Sequence, residues 1–363
     1  MPTYLHTVET WTPPHVHHQD RASERMQAQF DDPKFRRMIR HVYRHSDIDA
    51  RHTCVPFDGS HGPFAADEHG KWANPPTGDR NRVFRDVSRL AAPELARKTL
   101  DASPYSAVDI THVVTASCTG FYNPGPDFDI IRGLGLAPSV QRFHLGFMGC
   151  YAAFPALRLA HSLCAADPSA VVLIQCLELC SLHVQLDTLD PETMISASLF
   201  ADGAGCAILS ARPPAPGARA WRLNHLASAL TPNGAESMAW EIGNHGYEIV
   251  LSTYVPSILG ENIRAAVLPN FGNAGFSFSD VRNWAVHPGG KSILDRVGDA
   301  LDLPPAALDM PRDILRRHGN MSSATLFFLL KEASFDGPTA AMAFGPGLTV
   351  EMAFLQPVHG DRP

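Results

Sequence analysis

The chain contains no apolar run approaching the roughly 20 residues that a bilayer-spanning helix takes. Its polar N-terminus also lacks the apolar stretch of a signal peptide. Both absences point to a cytoplasmic protein without a membrane partner. No long basic block occurs and the net charge is −7, which argues against nucleic acid as a partner. The seven cysteines are an odd number with no C-x-x-C pair, so they read as reduced thiols. No His/Cys group has zinc-site spacing, and His15, His17 and His18 read as solvated polarity, so no metal is expected. What the chain has in quantity is apolar content. At 45% hydrophobic over 363 residues it can bury the core of one large domain or two fused ones.

The segment Phe147-Met148-Gly149-Cys150-Tyr151-Ala152-Ala153 runs directly into a helical pattern, Phe154 to Ala160. Val140 to Leu145 before it mixes β-branched and aromatic residues as a short strand does. Cys150 is thus expected at a strand-to-helix junction, in the first turn of a buried helix. Unpaired N–H groups and the helix dipole there favour a thiolate, the reactive form of a cysteine nucleophile. A single cysteine is as readily a buried structural residue. Two later segments weigh against that. Asn283 to His287 reads as a strand ending at a histidine, followed by Pro288-Gly289-Gly290 and a helix through Ile293, Leu294 and Val297. His318-Gly319-Asn320-Met321-Ser322-Ser323-Ala324 sets an asparagine just before another helix of apolar and small residues. Alone, His287 reads as a structural histidine and Asn320 as a helix cap. With Cys150 they form a Cys/His/Asn set at chain hand-over points, where α/β proteins gather their sites.

Strands are expected at 109–116, 170–176 and 204–209, with the Cys150 helix inside a βαβ-like layout. Ala211 to Gly217, rich in proline, is the clearest loop. Beyond it, strands are expected near 283–287, 339–344 and 348–355, with a helix near 252–268 ahead of them. Two halves follow: 1–210 carrying the nucleophile, and 211–363 carrying His287 and Asn320. No internal repeat is visible in the sequence.

Met148 to Ala153 (MGCYAA), His287 to Asp295 (HPGGKSILD), Gly319 to Ala324 (GNMSSA) and Gly345 to Glu351 (GPGLTVE) occur in that order. With Leu199 to Gly203 (LFADG), they resemble type III polyketide synthases, the chalcone-synthase-like branch of the thiolase superfamily. The resemblance implies an α/β fold, a thiolase-like five-layered α-β-α-β-α sandwich from a duplicated core. It implies an acyltransferase: Cys150 carries an acyl group, and decarboxylation of a malonyl-type thioester supplies the enolate that attacks it. Catalytic roles fall on Cys150, His287 and Asn320, with the Cys150 N–H and the turn at Gly345 serving the second oxyanion. The product is a β-keto acyl or pyrone-type species. No metal or organic cofactor is implied. The partners are acyl and malonyl thioesters on CoA or an acyl carrier protein, and a second copy in a homodimer.

The resemblance also assigns a pocket. Phe200 matches a gatekeeper phenylalanine, and alignment on Val255-Pro256 puts Ile249 at the second gate, so an aromatic there is expected to be lost. Cys118, Cys180 and His183 stand where plant members often carry threonines, and Asn123 lies in the loop that crosses the dimer interface. The basic segment of the family becomes His45 to Arg51 with acids at Asp47 and Asp49. Arg51, Arg44 and Lys291 remain for the phosphates of CoA or phosphopantetheine. These departures point to a long or branched starter delivered by a carrier protein. A stand-alone ketoacyl synthase of fatty-acid-initiation type shares the triad, and a papain-like cysteine hydrolase shares its order. The papain-type nucleophile segment is absent, and an intact triad argues against a catalytically dead structural subunit.

Overall fold

The computed structural model describes residues 1–252 and 254–360. Nine strands join in one ladder built of two sections. In the first, His112–Ser117 runs parallel to Val171–Leu179, which pairs antiparallel with Asp202–Ser210, which pairs antiparallel with Thr3–Trp11. Gln141–Gly146 adds an edge strand parallel to His112–Ser117. The second section repeats the scheme. Asn283–Val286 lies parallel to Thr339–Gly345, then Thr349–His359 and Arg219–Leu230 follow antiparallel. The duplication that no sequence repeat betrays is thus present in strand order and direction. Thr3 to Leu5 pairs with Leu223 to Trp221 and joins the two sections.

Alternation along the strands sorts side chains to two faces. In the first section Val114, Val172 and Ile174 point to a central layer, while Val113, Leu173 and Ile208 point to the outer helices Thr77–Asp101 and Pro126–Leu134. In the second, Ala285, Ala341, Ala343 and Ala353 face the centre, whereas Val286, Met342, Met352 and Phe354 face the outer helices Val255–Val267 and Lys291–Ala300. The central layer holds Ala153–Ala166 and Thr325–Glu332. Residues 325–330 of the latter (Thr-Leu-Phe-Phe-Leu-Leu) are all buried, as expected of a helix with no wet side. The inward alanines let these helices sit close to the sheet. The result is the α-β-α-β-α sandwich.

The strands expected at 170–176, 204–209, 283–287, 339–344 and 348–355 are all present within a few residues. The strand expected at 109–116 begins later, at His112, because Asp109 closes a turn by accepting from Ser106 N at 2.9 Å. The helix expected over 252–268 is Val255–Val267, and Thr253 lies outside the described residues. Among the described residues no helix is long and apolar enough to cross a membrane.

One glycine reports how tightly the central layer is packed. A Cβ on Gly205 would stand 2.3 Å from Cβ of Phe327 in the buried helix. Gly205→Ala should therefore destabilise the protein by about 1–3 kcal/mol through overpacking. Gly78→Ala, in open space on the Thr77–Asp101 helix, should be neutral or stabilise by up to ~1 kcal/mol. Denaturant unfolding of both variants checks the contrast, and equal midpoints would contradict it.

Candidate active site

The edge strand Gln141–Gly146 ends beside a sharp reversal in which Phe147 has φ 60° and Gly149 φ 79°. The chain then makes one tight turn, Gly149–Tyr151, and enters the helix Ala153–Ala166. Gly149 is required twice over: its φ is left-handed, and a Cβ there would meet Cδ of Pro346 at 2.2 Å. A Cβ on Gly345 would meet the Tyr151 ring at 2.5 Å and come within 3.5 Å of the Cys150 nitrogen. The turn at 345–347 therefore abuts the turn that carries the cysteine.

His287 follows the strand Asn283–Val286, its backbone N–H donating to the Met342 carbonyl at 2.8 Å. The ring is buried and neither nitrogen has a hydrogen-bond partner among the described residues. Buried polar atoms are rarely left in that state, and two on one ring point to a group supplied by substrate. Asn320 is fixed by backbone bonds to the gatekeeper segment, its N–H donating to Leu199 O and its carbonyl accepting from Ala201 N, both at 2.9 Å. Its side-chain oxygen accepts from Ser322 N at 2.8 Å, which turns the amide N–H groups towards Gly289 O (3.3 Å) and the cavity.

Cys150, His287 and Asn320 line one cavity of about 320 Å³, with Phe200, Ile249 and Cys118 also on its wall. Burial pushes the Cys150 thiol up to about 12, against a lowering pull from the Ser322 and Asn320 side chains. Burial likewise pushes His287 down to about 4. A lone thiolate or a lone imidazolium is disfavoured here, so helix position by itself does not hold the thiolate that the sequence suggested. Cys150 and His287 line the same cavity with no hydrogen bond between them.

Glu178, which the sequence reading passed over, lies wholly buried behind this wall. Cys118 N (3.0 Å), Thr119 Oγ1 (2.8 Å) and Ser323 Oγ (2.5 Å) donate to it, as does Cys118 Sγ at 3.2 Å. Burial raises its carboxyl and these donors pull against that. Its one sequence signal was an acid inside the apolar run 171–179.

Cys180 and His183 line a smaller neighbouring cavity instead. His183 stacks on Tyr247 at 4.1 Å, accepts from Tyr247 N at 3.0 Å and reaches Thr119 O at 2.8 Å. Asn123 is exposed and borders neither cavity. Ile249 stands on the cavity wall as a non-aromatic residue, and an aromatic that the sequence reading did not weigh stands beside it. Ile249 sits on Gly246–Leu251, which forms a hairpin with Met238–Gly243, and the register sets Trp240 directly opposite Ile249. Trp240 lies edge-on to Phe200 with ring centroids 6.0 Å apart. Trp240 is a cross-strand neighbour of Ile249, a relation that spacing from Val255-Pro256 does not carry.

The expected phosphate-binding residues fare differently. Arg51 is buried, and its guanidinium is spent on Gln19 Oε1 (3.0 Å) and the carbonyls of Ala197 and Phe200 (both 2.7 Å). It is a clamp on the gatekeeper segment, not a free cation. Lys291 is half-exposed and paired with Asp47 at 2.8 Å, while Asp49 takes Arg316 at 2.6 Å. Arg44 borders a surface depression with Asp49, away from the cavity wall. Arg296, on the cavity wall and exposed, has no ion-pair partner among the described residues and was not anticipated.

Residues 4–213 match the model for the N-terminal domain of chalcone and stilbene synthases, and 222–359 the model for the C-terminal domain. The alpha-pyrone synthesis polyketide synthase-like Pks18 of Mycobacterium tuberculosis is 32% identical, covering 96% of this chain and 91% of its own. Bisdemethoxycurcumin synthase of Oryza sativa is 34% identical over 74% of this chain and 72% of its own. Among solved structures, the C-terminal type III polyketide synthase domain of Steely1 from Dictyostelium superposes with a TM-score of 0.88 at 26% identity, covering 98% and 99% of the two chains.

If the His287 ring takes the thiol proton, His287→Gln removes that acceptor and leaves Cys150 with the burial that raises it. The thiolate fraction at fixed pH must then fall. Alkylation of Cys150 by iodoacetamide at pH 7 should slow by at least about tenfold, one pKa unit, and recover only at higher pH. Identical pH–rate profiles for the two proteins would remove His287 as the proton acceptor.

Proposed function

Because the chain belongs to the chalcone and stilbene synthase family of type III polyketide synthases, we propose that its cavity performs decarboxylative Claisen condensation on a Cys150-bound acyl group. The observation that carries this is one buried cavity holding Cys150, Asn320 and an imidazole with both nitrogens unpartnered. In the first step the Cys150 proton passes to His287 and sulfur attacks the acyl thioester. The carrier thiol leaves with the proton from His287. In the second step a malonyl thioester loses carbon dioxide, and N–H groups of His287 and Asn320 hold the enolate oxygen. The enolate carbon then attacks the Cys150 thioester, whose oxyanion faces the Cys150 N–H beside the turn at Gly345. Collapse expels the Cys150 thiolate and leaves a β-keto acyl thioester on the carrier, which further rounds extend towards a pyrone. Asn320 suits its role because its amide donates without titrating.

The thioester carrier is CoA or an acyl carrier protein. With Arg51 committed to carbonyls and Lys291 to Asp47, the exposed guanidinium of Arg296 is the cation best placed for a phosphate at the cavity mouth. The Cys150→Ala variant should lose acyl loading altogether. Asn320→Ala should load normally and slow malonyl decarboxylation by on the order of 100–1000-fold. Mass spectrometry of the intact protein and release of carbon dioxide separate the two steps. Wild-type turnover by Cys150→Ala would end this reading.

The exposed Asn123 and the Pro124-Gly125-Pro126 turn suit a homodimer in which loop 118–126 approaches the partner's pocket. Sedimentation at micromolar concentration should give a dimer, with an interface of more than ~2,000 Å² in total. A monomer under those conditions would be the contrary result.

A further inference from the structure

The helix Pro33–Arg44 carries Lys34, Arg36, Arg37, Arg40 and Arg44 and no acid, in a chain whose net charge is −7. Other residues separate most of these cations along the sequence, and the turn of the helix gathers them. Phe35, Ile39 and Tyr43 are buried against Met26, Phe30 and Met194, so the opposite side faces out. Arg36, Arg40 and Arg44 follow one another at four-residue steps with Arg37 beside them, and all five cations are exposed. None stands at ion-pair distance from a carboxylate among the described residues, and Arg40 donates to the neutral Gln27 Oε1 at 3.2 and 3.0 Å. The neighbouring acids are taken up elsewhere: Glu24 by Arg21 (3.0 Å), Asp31 by Lys71 (2.9 Å), Asp47 by Lys291 (2.8 Å) and Asp49 by Arg316 (2.6 Å). Asp32 caps the helix by accepting from Lys34 N at 2.8 Å. Like charges at four-residue spacing destabilise a helix, and an anionic partner would reverse the sign of that effect.

The stripe leads towards the catalytic cavity. Asp47, just past Arg44, pairs with Lys291, the first residue of the helix Lys291–Ala300, whose Ser292, Ile293 and Arg296 line that cavity. Its outline is narrow. Exposed Asp31 and Asp32 precede it, and exposed Asp47 and Asp49 follow it. Asp20 and Glu24 border a surface depression with Arg40 and Arg44 along one side. A flat anionic membrane laid over the stripe would press on those carboxylates. A single helix with acids at three- and four-residue spacing fits between them, over a length of about 18 Å.

We propose that the Pro33–Arg44 stripe docks an acidic helix of the carrier protein that delivers the acyl thioester, and so favours a carrier-borne donor over free CoA at the loading step. The two cation groups then divide the donor between them. Arg296 serves the phosphate that CoA and a carrier's thiol arm have in common, and the stripe serves the protein that only the carrier has. Complementary charge on an exposed stripe acts chiefly on the rate of encounter and weakens as salt rises. Delivery of the thioester rests on the condensation reading, while docking itself can be measured without catalysis.

Loading of Cys150 is followed by intact-protein mass spectrometry with an octanoyl group on an acidic bacterial acyl carrier protein and on CoA. Arg36→Glu/Arg37→Glu sets acids near a helix N-terminus, where the dipole favours them, so the variant should fold. It should load from the carrier about tenfold or more slowly than the wild type, and from CoA within about twofold of it. Arg36→Lys/Arg37→Lys should keep most of the carrier rate. Raising salt from about 50 to about 300 mM should slow carrier loading in the wild type and hardly change it in the Glu variant. Fluorescence anisotropy with the labelled apo-carrier, which has no thiol arm, reads docking alone: the wild type should bind and the Glu variant should not. Equal loss from both donors, loss from neither, or no binding of the apo-carrier overturns the proposal. So does co-sedimentation with phosphatidylglycerol vesicles that the Glu variant loses while its carrier loading is unchanged, which would give the stripe to a membrane. Selective binding of the apo-carrier with no loading from either donor would leave the docking surface assigned and strike instead at the condensation reading.

Discussion

The site depends on a central layer packed between the inner faces of two sheet sections. Ala153–Ala166 and Thr325–Glu332 lie between the inner faces of the two ladder sections. The first carries Cys150 just ahead of its N-terminus, and the second carries Asn320 and Ser322 ahead of its own. Because these helices are covered by sheet on both sides, their starting points are fixed by packing and not by solvent-exposed caps. Gly205 against Phe327 and Gly203 against Met321 show how little slack the arrangement leaves. The catalytic set therefore inherits the precision of the core, where a misplacement of about an ångström is costly to chemistry.

Within that layer, polar groups survive only in closed networks. Glu178 is a buried carboxyl that collects donors from residues 117–119 and from Ser323, tying the strand-end segment at Cys118 to the start of the Asn320 helix. Arg158 and Glu351 form an ion pair from the Cys150 helix to the second section of the ladder. His287 is the contrast: a buried ring that the protein leaves without partners. Among the described residues it is the one buried side chain with two unpartnered polar atoms, and it lines the cavity that Cys150 and Asn320 also line.

Much of this could be read from the sequence, for a physical reason. Cys150, His287 and Asn320 each stand where a strand or loop gives way to a helix, and Gly149 and Gly319, both in left-handed backbone with no room for a Cβ, directly precede Cys150 and Asn320. Such junctions leave a local signature. The inward alanines and outward bulky residues of the second section likewise write the layer order into alternation. Three features lay beyond local reading. Arg51 looked like a free cation, because a sequence does not show that two carbonyls and Gln19 surround it. Trp240 was hidden by cross-strand pairing, although Gly243-Asn244-His245-Gly246 between two alternating segments was a legible hairpin turn. The strands Thr3–Trp11 and Arg219–Leu230 were missed because their meaning is long-range: each borders the seam between sections.

That seam has a consequence for where the protein can change. Thr3–Trp11 bonds to both sections, so the two halves of the sandwich cannot part like covers to admit a larger chain. The hairpin 238–251 is different: its ladder hydrogen bonds are to itself, outside the nine-stranded sheet. Yet it supplies Trp240 and Ile249, which with Phe200 are the three residues that line both the larger cavity and the smaller one beside it. Its ties to the body of the fold run instead through bonds such as Tyr247 N on His183 and Gly246 N on Thr77. Under the proposed condensation, substitution at 240 or 249 would reshape what the cavity admits and leave Cys150, His287 and Asn320 where the core holds them.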